Sequence, residues 1–522
     1  MMNISPPKDW QWIGDWIGRR ASLTPNREAL LDHSTSRRYT YFDLDQRGNQ
    51  LAQLLSQEYH IKKGDRVAFL LNNRVECLDA FTACGKLGAI LVPLNVRLTA
   101  NELQKYIETT TPKLLLYEGI FDSVIGDFRS RAPSIKHLLA IDETSLANSQ
   151  SYTTALKTQP TTPPSRPTLS FEDPFLILPT GGTTGFPKGA VLSHRHVFWN
   201  SVNTIVCWGV SPSDICPILF PLFHTGGWNV LLVSLIHVGA RFLLWAKFDV
   251  DDTLRCIEEE HCTIIIGVPT MFHMMINSPR FAKTDFGSVR FWLSGGAPCP
   301  LSIMESFWQR GQEFAMGYGL TEVGPNNFFM PLGAAKKKPA AVGLPFFHNE
   351  VRVVTDELDD VPRGEVGELL LRGPHAFSGY WKNPQATQET IEPDGWIHTG
   401  DLVKEDEDGF YYISGRKKEL FISGGENVFP IQIESVLDSH PAVDEAAVVG
   451  MPDTKWGEVG CAFVVLKEDS DVTEASLIEF LRSKLAKYKV PKKIIFVSEL
   501  PLTGAGKINK RELEKYALKF SN

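Results

Sequence analysis

The sequence predicts a protein of the α/β class with a large N-terminal domain and a small C-terminal domain. A chain of 522 residues is too long for one compact core, so two or more domains are expected. Strand-like and helix-like patterns alternate over residues 25–150, which favours a largely parallel sheet. Short β-like runs fill residues 345–415, and a mixed pattern follows them. We therefore expect residues 1–415 to form α/β subdomains plus a small β subdomain, and residues 416–522 to form an α+β domain.

The first elements of the alternating region are identified by their periodicity. Residues 41–59 have a helix-like pattern. Residues 66–71, Arg-Val-Ala-Phe-Leu-Leu, and residues 89–92, Ala-Ile-Leu-Val, have strand-like patterns. A polar stretch rich in proline and threonine, residues 159–168, predicts a linker or loop that leads into the next strand.

Three further buried strands are each followed by a turn that contains glycine or proline. The strands are predicted at residues 175–178, 264–266 and 291–293, and the turns at residues 180–189, 267–270 and 294–298. Ligands in open α/β sheets bind beyond the carboxyl ends of the strands. The three turns therefore predict one shared cleft.

The rest of the chain predicts the β subdomain and the C-terminal domain. Three β-like runs with glycine turns occur at residues 351–354, 367–371 and 410–413. After Gly415, a helix opened by Pro430 and a second helix near residue 480 each carry an apolar face. Strands predicted at residues 446–449, 462–466 and 494–497 complete a unit of ordinary domain size.

Composition excludes several classes of function. The 53 basic and 61 acidic residues give a net charge of −8, which argues against nucleic acid as a partner. Eight scattered cysteines without a C-x-x-C pair indicate neither a zinc site nor a disulfide framework, and free thiols fit the cytoplasm. The N-terminus lacks the apolar core of a signal peptide. Polar residues interrupt the most hydrophobic window, residues 228–244, so we expect buried core and no transmembrane span.

Residues 180–189, Thr-Gly-Gly-Thr-Thr-Gly-Phe-Pro-Lys-Gly, predict a phosphate-binding loop. Glycines let the backbone approach phosphate oxygens, while threonine hydroxyls and a lysine supply donors. The loop is not the P-loop of kinases and GTPases, which requires G-x-x-x-x-G-K-[ST]. Phe186 and Pro187 separate Gly185 from Lys188, and Gly189 stands where a serine or threonine would bind magnesium.

Taken together, the motifs resemble the adenylate-forming superfamily, closest to fatty acyl-CoA synthetases; luciferases and peptide-synthetase adenylation domains also belong to this superfamily. The resemblance covers nearly the whole chain. Six segments follow the family's order and spacing: residues 180–189, Pro-Leu-Phe-His-Thr-Gly-Gly-Trp at 221–228, Gly-Tyr-Gly-Leu-Thr-Glu at 317–322, Gly-Trp-Ile-His-Thr-Gly-Asp at 395–401, Gly-Arg at 415–416 leading to Gly-Gly-Glu-Asn at 424–427, and Pro-Leu-Thr-Gly-Ala-Gly-Lys at 501–507.

The resemblance implies a site for ATP and magnesium. Glu322 would bind Mg²⁺, with Thr184 as a second ligand. Asp401 would accept hydrogen bonds from the ribose diol, and Arg416 would add a second nucleotide contact. The remaining ATP contacts would come from two sets of residues. Those of the phosphate loop are Thr180, Gly181, Gly182, Thr183, Thr184, Gly185 and Lys188. Those around the adenine are Gly296, Ala297, Gly317, Tyr318, Gly319 and Thr321.

The resemblance also implies the acid site. His224 would lie beside the carboxylate of the acid. Trp228 matches in spacing a tryptophan that gates the acyl tunnel in a long-chain fatty acyl-CoA synthetase; a core tryptophan is the alternative.

The resemblance implies two half-reactions catalysed by a mobile C-terminal domain. Lys507 would stabilise the charge that develops when the carboxylate attacks the α-phosphate of ATP. The domain would then rotate about Lys418, so that Gly424, Gly425 and Glu426 line a tunnel for CoA. Two departures from the family pattern remove expected contacts: Gly181 stands where many members have serine, and Ile422 where some have lysine.

These features predict an AMP-forming acid:CoA ligase, with a medium- or long-chain fatty acid as the leading substrate. The alternatives are an aryl acid:CoA ligase for hydroxycinnamate-like acids, an acyl-AMP ligase that loads a carrier protein, and a non-catalytic nucleotide-binding homologue. A lipid substrate would allow peripheral membrane contact. Either a monomer or a homodimer fits the sequence.

Overall fold

The computed structural model describes residues 12–180, 188–468, 470–503 and 507–520. The elements of the first range are α1 (Trp16–Leu23), β1 (Glu28–Asp32), β2 (Arg37–Thr40), α2 (Tyr41–Gln57), β3 (Arg66–Leu70), α3 (Val75–Leu87), β4 (Ile90–Pro93), α4 (Ala100–Thr110), β5 (Leu114–Tyr117), α5 (Asp122–Arg129), β6 (His137–Ala140), β7 (Ser149–Ser151), α6 (Tyr152–Lys157) and β8 (Pro174–Thr180). Helix α2 begins where expected because Thr40 and Asp43 form a reciprocal capping box.

After the phosphate loop come β9 (Lys188–Ser193), α7 (His194–Trp208), β10 (Ile215–Ile218), a π-helical turn (Gly226–Val230), α8 (Leu232–Val238), β11 (Arg241–Leu244), α9 (Val250–Glu259), β12 (Ile264–Gly267), α10 (Pro269–Asn277), β13 (Phe291–Ser294), α11 (Leu301–Gln309) and β14 (Phe314–Met316). The β subdomain contains β15 (Phe328–Phe329), β16 (Ala341–Pro345), β17 (Glu350–Val354), β18 (Val366–Arg372), α12 (Pro384–Gln388), β19 (Ile397–Glu405) and β20 (Tyr411–Arg416).

The C-terminal domain contains β21 (Phe421–Ser423), β22 (Glu426–Val428), α13 (Pro430–Asp438), β23 (Val443–Asp453), β24 (Gly457–Leu466), α14 (Glu474–Lys484), β25 (Lys493–Phe496) and α15 (Lys510–Ala517). The expected apolar faces are present: Ile433 and Leu437 are buried on α13, and Leu477 and Leu481 on α14.

Three sheets contain the strands of the N-terminal α/β region. The largest has the order β7-β6-β5-β3-β4-β8-β9 and is parallel except for the antiparallel pair β8 and β9. The second has the order β10-β11-β1-β2, and the third is the parallel set β12-β13-β14. Because β12, β13 and β14 end side by side, the turns that follow them lie at one edge of the sheet. The predicted α/β class is confirmed.

The β subdomain is an antiparallel sheet of order β15-β16-β20-β19-β18-β17. Its strand β20 extends to Arg416, so the expected domain boundary at residue 415 falls at the end of that strand. The C-terminal sheet has the order β22-β21-β24-β23, and β25 pairs with β24 in parallel. The hydrophobic window of residues 228–244 folds into the π-helical turn, α8 and β11. In the described ranges, no helix is long and apolar enough to cross a membrane.

One buried cation ties the first three helices together. Lys86 on α3 has only 1% of its side chain exposed, and its Nζ lies 2.8 Å from Oδ1 of Asp15 and 2.8 Å from Oδ1 of Asp45. Asp15 precedes α1 and Asp45 lies on α2. Removing one partner from such a group leaves charge in a poorly hydrated interior.

We expect Lys86→Met to destabilise the N-terminal domain by about 3–5 kcal/mol, because Asp15 and Asp45 then lose the buried cation between them, and among the described residues only Asp15 keeps another, Arg166, at 3.1 Å. The midpoint of thermal unfolding, measured by calorimetry, checks this. Lys157→Met, at an exposed position of α6, is the matched control. Equal midpoints for the two variants would contradict the structural role of Lys86.

Candidate active site

Asp401 and Arg416 face each other across β19 and β20. Their Cα atoms are register partners, and Nε of Arg416 lies 2.7 Å from Oδ1 of Asp401. Tyr318, in the loop after β14, donates its hydroxyl to Oδ2 of Asp401 at 2.5 Å. Burial raises the pKa of Asp401, while Arg416 and the tyrosine hydrogen bond lower it. The predicted ribose contacts and the predicted adenine contact Tyr318 therefore form one cluster.

Three glycines and an alanine lie at the ends of β13 and β14. Gly317 donates its backbone N–H to the carbonyl of Ser294 at 2.8 Å, which brings the two turns together. A Cβ at Gly319 would lie 2.2 Å from the Pro325 carbonyl oxygen, so no larger residue fits there. Gly296 has φ +84°, and both Gly296 and Ala297 are exposed, so the turn offers an open surface.

Glu322 lies in a short 3₁₀ turn and is 9% exposed. Its backbone carbonyl accepts the N–H of Phe377 at 2.8 Å, and its Oε1 accepts the hydroxyl of Tyr380 at 2.7 Å. In the part of the chain described, Oε2 accepts no hydrogen bond. Thr321 beside it is buried. A carboxylate held in this way has one oxygen left for a hard divalent cation, so Glu322 fits the proposed Mg²⁺ site.

The ends of the phosphate loop are held together by strand pairing. Thr180 at the end of β8 is the register partner of Lys188 at the start of β9. Nζ of Lys188 lies 4.7 Å from the centre of the Tyr380 ring. Oγ1 of Thr180 is buried and has no hydrogen-bond partner among the described residues. The predicted contacts Gly181, Gly182, Thr183, Thr184 and Gly185 lie outside the described residues.

His224 lies in the turn before the π-helical segment. Asn73 fixes this turn, because its side chain donates to the carbonyl of Phe220 at 2.9 Å and accepts the N–H of Leu222 at 2.8 Å. The N–H of Gly226 donates to Nδ1 of His224 at 3.3 Å, so Nε2 carries the ring proton. Burial, followed by the charges of Lys507 and Arg97, lowers the pKa of His224 to about 4. His224 is therefore a neutral donor.

Trp228 lies in the core behind this turn. Its ring has 0% exposure, stacks on Phe81 at 4.9 Å between ring centres, and donates its N–H to the carbonyl of Leu222 at 2.5 Å. The side chain therefore does not line an open cavity in this arrangement. A gating role would require the indole to leave the stack and break that hydrogen bond.

Lys507 comes from the C-terminal domain and enters the electrostatic environment of the same cleft. The surrounding protein lowers the pKa of Lys507, as does the charge of Arg416, while Asp401, Glu322 and Glu419 raise it. The backbone N–H of Thr503 donates to the Lys507 carbonyl at 2.7 Å. The charges of Asp401, Arg416 and Glu322 thus act on Lys507, and the charge of Lys507 acts on His224.

The segments predicted for the second half-reaction lie in the C-terminal domain. Lys418 is exposed after β20. Gly424, with φ +62°, Gly425, with φ +88°, and Glu426 form the exposed turn between β21 and β22. A Cβ at Gly424 would lie 2.9 Å from the ring of Trp456, within the same domain. A polar contact across the two domains joins Nε2 of His273 to Oδ1 of Asp444 at 3.4 Å.

Sequence reasoning missed Tyr380 and Asn73. Tyr380 lies in a segment with Gly373, Pro374 and Gly379. This composition predicts a turn, but it does not show which residues the turn contacts. Asn73 follows a predicted strand, a position typical of site residues, and that signal could have found it. The contacts of Tyr380 join residues 58 and 192 positions away along the chain, which no local pattern reveals.

Comparison with known proteins places this geometry in context. The family model "AMP-binding enzyme" matches residues 17–381, and "AMP-binding enzyme C-terminal domain" matches residues 432–507. The chain is 35% identical to a feruloyl-CoA synthase of Amycolatopsis sp over 509 residues, 97% of this chain and 99% of the relative. It is also 35% identical over 506 residues to an indoleacetate–CoA ligase of Aromatoleum aromaticum, with 96% and 98% covered.

A solved structure supports the same relationship. The anthranilate CoA ligase AuaEII, in complex with anthranoyl-AMP, superposes with a TM-score of 0.91 at 28% identity, covering 99% of this chain and 98% of the other. Its fold matches that of the large and small domains described above.

We expect His224 to remain neutral, with the proton on Nε2, from pH 8 down to about pH 5, because the pKa is lowered to about 4. The unfolded chain protonates first as the pH falls from 6.5 towards 4, so this residue favours unfolding in that window. Nitrogen-15 NMR of histidine-labelled protein checks the tautomer, with the signal assigned by its loss in His224→Gln. A ring that titrates near pH 6.5 would contradict the prediction.

Proposed function

The chain belongs to the AMP-binding enzyme family and is an ATP-dependent acid:CoA ligase, and on this premise we propose that its acid substrate is aromatic. The observation that carries the proposal is the aromatic acid in the names of relatives that match almost the whole chain. The comparisons do not confirm the expected fatty acid. The aryl alternative, a hydroxycinnamate-like acid, fits them better.

The packing behind His224 supports a short, flat acid. The stack of Trp228 on Phe81 fills the core behind the turn, and the indole N–H is satisfied by Leu222. A long alkyl chain directed that way would have to displace a fully buried ring, and displacing a packed aromatic is costly. An aromatic acid that ends before the stack requires no such movement.

The proposed first half-reaction joins the acid to AMP. A carboxylate oxygen attacks the α-phosphorus of ATP, the bond from that phosphorus to the oxygen bridging the α- and β-phosphates breaks, and pyrophosphate leaves. The ammonium of Lys507 lies between the two anions and offsets their repulsion. The Nε2–H of His224 donates to the carboxylate, and a neutral ring in that position does not neutralise the attacking oxygen. Asp401 and Arg416 hold the ribose.

Magnesium is proposed on the donor set of the site. Glu322 would hold it through Oε2, with Thr184 as a second ligand. When bound, Mg²⁺ would offset part of the negative charge of the phosphates. Lys188, which lies against the ring of Tyr380, would bind the phosphates, while Glu322 accepts the hydroxyl of the same tyrosine.

The proposed second half-reaction forms the thioester. The CoA sulfur attacks the acyl carbon, the acyl–phosphate bond breaks, AMP leaves and the thiol proton is released. Lys507 has no role in this step, so the C-terminal domain rotates about Lys418 and brings Gly424, Gly425 and Glu426 to the cleft. The His273–Asp444 contact must then break. A partly exposed pair of this kind is worth about 0–1 kcal/mol, so it does not lock the first arrangement.

The substrate class is tested by AMP release with ferulate, 4-coumarate, indoleacetate, octanoate and palmitate, each with and without CoA. We expect CoA-dependent AMP release with an aromatic acid, at a kcat/KM at least about tenfold above that of either fatty acid. A preference for octanoate or palmitate would overturn the aryl assignment. Acid-dependent adenylate that only a carrier protein accepts would favour the carrier-loading alternative.

The role of the lysine is tested with Lys507→Ala. We expect the loss of adenylate formation while supplied acyl-AMP still reacts with CoA, because the charge that the lysine stabilises develops only in the first step. Pyrophosphate release and thioester formation are measured separately.

The complementary variant is Lys418→Pro, which restricts the proposed hinge. It should retain pyrophosphate release and lose thioester formation. Equal loss of both half-reactions in Lys507→Ala, or a normal second half-reaction in Lys418→Pro, would contradict the scheme.

A further inference from the structure

Residues 373–381 form a strap that crosses from β18 to the strand that follows the phosphate loop. Ser378 donates its N–H to the Val191 carbonyl, Val191 donates to the Gly379 carbonyl, and Trp381 donates to the Gly189 carbonyl, at 2.8 to 2.9 Å. The strap therefore adds backbone pairing to β9. Its position is fixed relative to β9, the strand that follows the loop proposed to hold the phosphates of ATP.

Tyr380 on this strap is held rigidly. Its N–H donates to Oγ1 of Thr387 at 2.9 Å, and its ring packs edge-on against Phe377 at 5.0 Å between centres. A Cβ at Gly379, where φ is +115°, would lie 2.7 Å from Cγ2 of Thr387. The strap and α12 thus leave little freedom to the tyrosine.

Tyr380 touches two site residues of opposite charge. Its hydroxyl donates to Oε1 of Glu322 at 2.7 Å, and Nζ of Lys188 lies 4.7 Å from its ring centre. A ring face attracts a cation, while a phenol hydroxyl binds a carboxylate, so each end of the side chain suits its neighbour. Lys188 and Glu322 form no ion pair with each other among the ion pairs of the described residues.

We propose that Tyr380 is a positioning residue that keeps Lys188 and Glu322 apart. Without it, an ammonium and a carboxylate in one partly buried cleft would pair directly, and both would be withdrawn from the substrate. With it, Oε1 of Glu322 is occupied by the hydroxyl and Oε2 faces the metal, while Lys188 stays available for phosphate. This inference rests on the proposed function, because it assigns both charges to ATP and Mg²⁺.

The test compares Tyr380→Phe with Tyr380→Leu. The first removes only the hydroxyl, and the second also removes the ring beneath Lys188. In Tyr380→Phe we expect Mn²⁺ binding to the ATP complex, measured by electron paramagnetic resonance, to weaken about tenfold, the usual effect of losing a hydrogen bond to a charged group. ATP binding without metal, measured by calorimetry, should be unchanged. In Tyr380→Leu we expect both to weaken.

Tyr411→Phe is the matched control, since Tyr411 is a buried tyrosine of the β subdomain and its strand partner is a different glutamate, Glu405. It should bind Mn²⁺ and ATP like the parent protein. A general loss of structure is distinguished by the reaction of supplied acyl-AMP with CoA, which Tyr380→Phe should spare. A double-mutant cycle with Glu322→Gln should show no further loss of metal affinity on adding Tyr380→Phe.

Each outcome separates the inference from the proposed function. The positioning role would be overturned if Tyr380→Phe bound Mn²⁺ as tightly as the parent protein. It would also be overturned if the variant lost as much affinity for ATP without metal as it lost for Mn²⁺. If the parent protein released no AMP with any acid, the proposed function would fail while the binding measurements would still decide the role of Tyr380.

Discussion

The ion pair between Arg416 and Asp401 is the interaction on which the site depends. It forms because the register of β19 and β20 places the two residues opposite each other at the end of the β subdomain. Tyr318 then binds the second carboxylate oxygen, which ties the α/β region to the same point. Lys507 arrives from the C-terminal domain into the field of both charges. The β subdomain, the α/β region and the C-terminal domain thus all act on the carboxylate of Asp401. Burial alone would favour the neutral form of this carboxylate.

Charge separation is the common physical problem of the cleft. The chemistry requires two anions to approach each other, and the protein supplies cations that must not be neutralised by its own carboxylates. Arg416 forms an ion pair with Asp401, whereas Lys188 lies over the ring of Tyr380 and does not pair with Glu322 among the described residues. His224 avoids the problem by staying neutral, because its surroundings and two nearby cations disfavour the imidazolium.

The acid side of the cleft is governed by packing. Asn73 holds the start of the turn that carries His224, and a Cβ at Gly227 would lie 2.4 Å from the Pro221 carbonyl oxygen. Trp228 closes the core behind that turn. Packing in the core therefore sets the position of the His224 side chain. The buried ring of Trp228 limits the space that is left for the acid.

Local patterns in the sequence determined much of the fold. Apolar runs located β3, β4, β8, β12 and β13 to within a residue or two, because buried strands must be continuous and apolar. The glycine turns after them predict one cleft, and the motifs predict that Asp401, Glu322, His224 and Lys507 belong to it. The capping box at Thr40 and the apolar faces of α13 and α14 are equally local, so the sequence alone defines those helices.

Only the tertiary structure decided which of these residues share contacts and what else holds them. The burial of Trp228 depends on Phe81, 147 positions earlier, and the placement of Tyr380 depends on pairing with β9 across the sheet. The state of His224 depends on the hydrogen bond from Gly226 and on the charges of Arg97 and Lys507. Such contacts join segments far apart along the chain, and their energies depend on distance and burial, which a linear pattern does not contain.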